Sequence, residues 1–311
     1  MQTHDAAWQR RLIALGYDNV QPLGVGMEGA VYRLGDGRVA KVWAQRSTVE
    51  LERLRQLYRD VLAHQLGFQT PEILEVVEER GVAITIEREL YGRPLESVVA
   101  EASAALSPAM IRSLIAVLAA LARVPATASM RRLAVLNEPR PLWESGTRWG
   151  DALSALIDRR VARFGDQLRR DVERFDTKLA RVHTALAALD TPALALVHGD
   201  LVPANILVDD DLRPTAILDF GFCSTAGDPA FDAAVAASIF DMYGPAARAI
   251  EARLDAAIVQ HFGYAPETLA LYRAAYALAT SNAYDSDGKD GHFAWCVHML
   301  QRSDLSAFLL K

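Results

Sequence analysis

Cysteine is scarce in this chain: Cys223 and Cys296 are the only two among 311 residues. Neither belongs to a C-x-x-C pair or a Cys/His cluster, so no zinc site is visible, and two lone thiols suit a reducing compartment. Positive charge is also in short supply. The formal net charge is −6 and no block of consecutive Lys or Arg reverses it, so the chain gains no long-range attraction to a phosphate backbone and nucleic acid is not expected as a partner. The same field favours a cationic small molecule. No apolar run approaches the roughly 20 residues needed to span a bilayer. The segment Met1-Gln2-Thr3-His4-Asp5 lacks the basic and apolar regions of a signal peptide. The expectation is a cytoplasmic protein with no membrane partner. Internal repeats and low-complexity stretches are missing as well.

What is present is enough to build a large core: 51% hydrophobic and 23% charged residues in a length that suits one large domain or two lobes. Trp8, Leu12, Ile13 and Leu15 have helical spacing. From Val20 to Trp43 short apolar runs are broken by Gly24, Gly26, Gly29, Gly35 and Gly37, which predicts three strands with a hairpin turn at Gly35-Asp36-Gly37. Residues 47–66 show a helical period through Val49, Leu54, Leu57, Tyr58 and Val61. Strand-like runs follow at Ile73 to Val77 and Val82 to Ile86, then a hinge-like Tyr91-Gly92-Arg93-Pro94. The pattern from Leu95 to Leu189 is helical, broken near Pro139, Pro141 and Gly146; residues 194–221 return to strands and loops, and the part after Asp228 is helical again. The expected fold is α+β, with a small antiparallel β-sheet lobe carrying one main helix (1–90) and a larger, mostly helical lobe (91–311).

The strongest chemical signal is His198-Gly199-Asp200-Leu201-Val202-Pro203-Ala204-Asn205, followed by Ile217-Leu218-Asp219-Phe220-Gly221. Apolar runs flank both segments, so short strands hold two polar loops side by side. Phosphoryl transfer asks for such a set. A carboxylate must orient the attacking hydroxyl and accept its proton, which assigns Asp200. An amide and a second carboxylate must hold a metal, which assigns Asn205 and Asp219. Mg²⁺ prefers hard oxygen ligands, and one or two carboxylates plus phosphate oxygens suffice for it. His198 is read as a brace for the loop. H-x-D alone is common; its combination with Asn five residues on, and Asp-Phe-Gly after that, is not.

The second signal is Gly24-Val25-Gly26-Met27-Glu28-Gly29-Ala30-Val31-Tyr32. Glycines in a turn let backbone N–H groups approach phosphate oxygens. A strand follows instead of a helix, which argues against a dinucleotide-binding fingerprint. The third is Val39-Ala40-Lys41-Val42-Trp43, where a charge inside an apolar strand is costly unless paired. Lys41 is read as the phosphate-binding lysine. Its partner on the following helix is expected to be Glu50, which precedes Leu54 and Leu57 at i+4 and i+7 and so borders the apolar face; Glu52 precedes Gln56 and Arg59 and faces solvent.

On these pieces, together with Gly92-Arg93-Pro94-Leu95 and Gly227-Asp228-Pro229-Ala230-Phe231-Asp232, the chain resembles the aminoglycoside phosphotransferase and choline kinase-like family of small-molecule kinases from about Leu23 to Asp232. The resemblance implies a protein-kinase-like two-lobed fold with ATP bound between the lobes, Asp200 as the base, Asn205 and Asp219 on Mg²⁺, and Lys41 on phosphate. It places adenine on hinge backbone groups around Glu87, Glu89 and Leu90. Protein kinases usually carry Arg at the position of Gly199, and only seven residues separate Gly221 from Pro229, too few for a peptide-docking activation segment. The acceptor is therefore expected to be a small-molecule hydroxyl compound, and no protein partner is implied. Val202 departs from the His or Asn of many relatives.

The acceptor site is less legible. Asp241, Asp285, Asp287, Asp290 and Trp295 are candidates, since acidic groups with aromatic neighbours hold polyamine sugars through charge and cation–π contacts; Asp285 to Asp290 reads more readily as a solvated surface loop. Trp143 and Trp149 read as helix anchors. An aminoglycoside-like antibiotic is the first acceptor expected. The rivals are a metabolite kinase for choline, a sugar or an amino alcohol, and a nucleotide-binding pseudokinase scaffold.

Overall fold

The computed structural model describes all residues except 1, 27, 102–105, 145–147, 191–192 and 310–311. Met27 of the glycine segment and the helix breaker Gly146 lie outside the described residues. The chain divides into two units, Met1–Gly92 with Thr215–Leu218, and Arg93–Pro214 with Asp219–Lys311.

The first unit opens with helix α1 (Gln2–Ala14), then β1 (Gln21–Gly26), β2 (Gly29–Gly35), β3 (Arg38–Trp43), α2 (Thr48–Leu62), β4 (Ile73–Glu79) and β5 (Val82–Arg88). The strands form one antiparallel sheet in the order β1-β2-β3-β5-β4. Alternation along β3 decides where its lysine points. Ala40 and Val42 face a core made with Leu12, Tyr32, Leu34, Ile84 and Ile86, so Lys41 belongs to the opposite face. There it registers with Val31 and Thr85. Helix α2 buries Leu51, Leu54, Leu57, Tyr58 and Val61, each leucine contributing about 2 kcal/mol by leaving water. Ser47 starts it with a capping box: the Ser47 hydroxyl accepts the Glu50 N–H, and the Glu50 carboxylate accepts the Ser47 N–H. Residues 215–218 join this unit although they are remote in sequence. Gln69 N–H donates to Thr215 O at 2.8 Å and Ile217 N–H donates to Gln69 O at 3.0 Å.

Gly29 illustrates why the glycine segment has its spacing. Its φ is +149°, and a Cβ there would lie 1.9 Å from Val42 O on the neighbouring strand. Strand β2 can approach β3 only with a hydrogen at this position. Gly29→Ala is expected to destabilise the first unit by about 1–3 kcal/mol from backbone strain alone, measured as a lower urea midpoint at unchanged slope; a midpoint equal to that of the parent protein rules the argument out.

The second unit contains β6 (Arg93–Pro94), α3 (Leu95–Glu101), α4 (Pro108–Leu121), α5 (Ala128–Arg132), α6 (Trp149–Asp171), α7 (Phe175–Ala188), β7 (Ala195–Val197), β8 (Ile206–Val208), the start of β9 (Pro214–Ile217), β10 (Thr225–Gly227), and helices α8 (Pro229–Ile239), α9 (Ala247–Phe262), α10 (Pro266–Thr280), α11 (Gly291–Gln301) and α12 (Ser303–Leu309). Strand β7 pairs antiparallel with β10, and β6 with β8. Every residue of α8 from Ala230 to Ile239 is buried, as is α10 from Leu271 to Thr280. Helices buried on all sides are central, and the small side chains of α8 let α10 pack closely on it. Trp149 fixes α6 to this core: its Nε1–H donates to the Tyr272 hydroxyl at 3.1 Å, and its ring meets Phe231 edge-on. Trp143 Nε1–H donates to Ala226 O at 2.9 Å. Both tryptophans are therefore anchors, as their sequence setting suggests. The α+β architecture holds, with a small antiparallel sheet and a larger helical part. Among the described residues no helix is long and apolar enough to cross a membrane.

Candidate active site

In the first unit, the Lys41 Nζ reaches the Glu28 carboxylate at 2.9 Å and lies 4.0 Å from the Trp43 ring centroid. Arg46 meets the other Glu28 oxygen at 2.7 Å. Trp43 is itself held by donation from its Nε1–H to Thr85 Oγ1 at 2.9 Å. The carboxylate expected for Lys41 on α2 was Glu50; the structure places Glu28, from the glycine turn, beside the lysine and commits Glu50 to the helix cap. Partial burial pushes the Glu50 carboxyl up, but the Ser47 hydroxyl and N–H outweigh it and hold the group below the usual carboxylate range. The reason for the difference is positional. Glu50 is exposed at the third residue of α2, where an N-terminal carboxylate is captured by the cap, whereas the turn between β1 and β2 folds Glu28 back over β3. Gly24 and Gly26 have open space where a Cβ would stand.

The expected hinge residues are engaged in the same unit. Glu89 is buried, pairs with Arg33 at 2.7 Å and accepts from the Tyr91 hydroxyl, and its N–H donates to Gly37 O at 2.8 Å. Glu87 accepts from the Thr85 hydroxyl at 2.5 Å. Leu90 is half-buried and outside any strand or helix.

In the second unit, β7 delivers the loop that starts at His198. Asp232, buried on α8, accepts the His198 N–H at 2.7 Å and the Gly199 N–H at 2.6 Å. This one carboxylate clamps the backbone immediately before Asp200. Burial pushes the Asp232 carboxyl up to about 6, against the opposing pull of those two N–H donors. Asp200 N–H lies 3.3 Å from His198 Nδ1, and Asn205 Nδ2–H donates to Asp200 O at 2.9 Å. His198 is fully buried, with its ring turned to the backbone of this loop. Gly199 has φ +77°, and a Cβ there would meet Cys223 Cβ at 2.4 Å; no arginine fits this position.

The Asp-Phe-Gly segment is tied to the same loop. The Phe220 ring lies 4.4 Å from the His198 ring, and Ser224 Oγ accepts the Gly221 N–H at 2.9 Å while donating to His198 O at 2.8 Å. Asp219 sits at φ +53°, in the left-handed region, which Asp tolerates better than most residues and which recurs at functional sites. Asp228 caps α8 through the Ala230 N–H and accepts the Tyr272 hydroxyl. At Cys223, beside Gly199, burial and then the Asp200 charge push the thiol well above the ordinary range.

For magnesium, the donor set fits. Asn205 spends its Nδ2 on the Asp200 backbone, which leaves Oδ1 as its hard-oxygen donor, and Asp219 supplies a carboxylate. Among the described residues no group of three or more His, Cys, Asp or Glu side chains is placed to hold a metal. Mg²⁺ takes few protein ligands when phosphate oxygens complete its shell, so one amide oxygen and one carboxylate are enough for it.

The acceptor candidates are dispersed by local bonding. Asp285 accepts the Asp287 N–H at 2.8 Å and the Lys289 N–H; Asp287 pairs with Lys289 at 3.0 Å; Asp290 caps α11 through the Phe293 N–H at 2.7 Å. Asp241 folds over the Gly244 turn. Trp295 is buried, stacked on His292 with centroids 5.9 Å apart, and His292 is kept neutral by burial, its pKa down at about 4. The solvated-loop reading of Asp285 to Asp290 describes them better than an acidic pocket. Sequence reasoning missed Tyr284. Its ring stacks on Phe222 at 5.5 Å and 9°, and burial followed by the Asp200 charge raises its hydroxyl pKa. An aromatic three residues past the Asp219 carboxylate was the available signal.

Solved structures share this architecture. The chain is similar to the GDP and kanamycin complex of APH(2")-IIia, at TM-score 0.61, 17% identity and 99% coverage of both chains. It is similar to aminoglycoside phosphotransferase APH(3'')-Id from Streptomyces rimosus, at TM-score 0.55, 17% identity and coverage of 88% and 98%. Macrolide 2'-phosphotransferase MphH from Brachybacterium faecium gives TM-score 0.55, 22% identity and coverage of 94% and 97%. No curated relative matches the chain. Fold and loop chemistry together define a kinase-like phosphotransferase of small molecules. The chain belongs to the phosphotransferase enzyme family, whose family model matches residues 19–272.

Proposed function

We propose that this phosphotransferase moves the γ-phosphate of ATP to a hydroxyl group of a small molecule. The observation that carries the reading is the Asp232 clamp on the His198–Gly199 backbone, which holds Asp200 and Asn205 on one preorganised loop. Asp200 orients the acceptor hydroxyl and takes its proton as the hydroxyl oxygen bonds to the γ-phosphorus and ADP leaves. Asn205 Oδ1 and the Asp219 carboxylate would hold Mg²⁺, which would supply positive charge to offset that on the transferring phosphate. Lys41 and the N–H groups of the glycine turn hold the phosphates. A structure in this fold has been solved with ADP and streptomycin, which supports a nucleotide donor and leaves an aminoglycoside-like acceptor in play. The self-bonded loop Asp285–Asp290 favours the second reading, a metabolite kinase for a sugar, choline or an amino alcohol.

The test is an acceptor panel with coupled ADP detection. Acceptor-dependent ADP release and a phosphorylated product are expected. Lys41→Met removes one charge-assisted contact to phosphate and is expected to weaken nucleotide binding about tenfold. Nucleotide binding with no turnover on any acceptor would identify a scaffold instead.

A further inference from the structure

Two arginine clusters in the second unit differ in how their guanidinium groups are completed, although in the second Arg160 and Arg163 also lie 4.6 and 4.9 Å from the Phe164 ring centroid. In the first, Arg248, Arg273 and Arg302 meet Glu251, Asp255 and Asp304, three cations to three carboxylates. Arg248 reaches Glu251 at 2.8 Å, Arg302 reaches Glu251 at 2.8 Å and Asp304 at 2.7 Å, and Arg273 forms a close bidentate pair with Asp255. This is how a structural network looks when it is complete. In the second, Arg159, Arg160 and Arg163 of α6 surround the single carboxylate Glu138 at 3.3, 3.3 and 3.4 Å. Those distances exceed the roughly 2.7–2.9 Å of well-made charge-assisted bonds. Arg160 is only 5% exposed, yet its Nη2, like that of Arg159, has no hydrogen-bond partner. A buried cationic donor without an acceptor is strongly unfavourable unless something else completes it.

The cluster adjoins the catalytic loop. Leu136 N–H, two residues before Glu138, donates to Phe222 O at 2.8 Å, and Phe222 stacks on Tyr284. Arg160 Nε donates to Ala279 O at 3.0 Å, in the last turn of α10 that leads to Tyr284. Gln167, one helical turn beyond Arg163, donates to Ser286 O at 2.9 Å. The cluster is open at one end: Arg163 is 56% and Tyr284 45% exposed. Burial pulls the Arg160 guanidinium below its ordinary pKa against the pull of Glu138, and both Arg160 and Asp200 act on the Cys223 thiol.

We propose that Arg159, Arg160 and Arg163 form the oxyanion-binding part of the acceptor site, so that the hydroxyl compound phosphorylated here also carries a carboxylate or phosphate group. Guanidiniums are suited to such planar, multi-donor recognition, and Tyr284 stacked on Phe222 supplies an apolar wall for the carbon skeleton. The proposal rests on reading the site as a hydroxyl kinase, and it replaces a polycationic acceptor with an anionic one.

Calorimetric titration of wild type, Arg163→Gln and Arg163→Lys with inorganic phosphate, gluconate and kanamycin tests it. Saturable binding of phosphate or gluconate to wild type is expected, weakened about tenfold or more in Arg163→Gln and largely restored in Arg163→Lys. Phosphate alone or gluconate alone would tell which oxyanion is taken. Equal anion affinity in wild type and Arg163→Gln overturns the proposal, as does the absence of anion binding or binding of kanamycin alone. ADP release from ATP in the same preparations reports on the kinase reading separately. Turnover without anion binding sinks only the anion site, whereas anion binding without turnover removes the kinase assignment and with it the acceptor role of that anion site.

Discussion

Asp200→Asn is expected to lower kcat by about 10²–10⁴-fold, the usual contribution of a positioned general base, with nucleotide affinity within a few-fold of wild type. The substitution preserves size, and the loop around it is held by backbone groups that it leaves alone: the N–H groups of His198 and Gly199 on Asp232, and Asp200 O on Asn205. What it removes is the ability to take a proton from the acceptor hydroxyl. Single-turnover kinetics with ATP and a responsive acceptor separates this from slow product release. If Asp200→Asn turned over at the wild-type rate, the residue would have no part in proton transfer and the role would have to pass to another group.

The second large effect is expected at Asp232, a positioning residue. Asp232→Ala leaves two buried N–H donors, those of His198 and Gly199, without an acceptor. Each unsatisfied donor costs about 1–3 kcal/mol, so the loss is several kcal/mol. Turnover should fall by about 10²-fold in whatever folds, because a displacement of about 1 Å in the loop misplaces Asp200. Asp232→Asn keeps one acceptor oxygen and should lose less of both. A pH series gives a signature that a merely structural residue lacks. The folded Asp232 carboxyl holds its proton up to about pH 6, whereas the unfolded chain releases it near 3.8. The folded state therefore binds the proton more tightly, and stability falls as pH rises from well below 4 to well above 6, by about 3 kcal/mol in all for this group. The gap in stability between wild type and Asp232→Asn should widen by that amount on acidification through the window. Over the same window turnover should decline as the clamp loses its charge. A gap that does not change with pH would mean that Asp232 is ionised as readily in the fold as in the unfolded chain.

Legibility differed by residue. Helix and strand periods located α2, β3 and β5 to within a few residues, since those patterns are local and each buries one face. For Lys41 the sequence showed only a charge within an apolar strand, which calls for a partner. Its partner was not legible, because helical period favours Glu50 for an inward position while the cap at Ser47 draws that carboxylate to the helix start. Asp232 was visible as part of a motif but not as a clamp, since its bonds to His198 and Gly199 cross more than thirty residues. Arg160 had a signal of its own. Leu153, Leu156, Ile157 and Arg160 share one buried stripe of α6, and an arginine there must meet something polar.

The amino-acid sequence alone determined the element order, the α+β character, and the two polar loops with the spacing that phosphoryl transfer requires. All of these follow from short-range rules of periodicity, turn chemistry and ligand type. Tertiary structure alone decided that Glu28 meets Lys41, that residues 215–218 belong with the first unit, that Asp285 to Asp290 is bonded to itself, and that three arginines share one glutamate. Charge pairing between residues far apart in the chain depends on which faces packing brings together, and no local pattern encodes that.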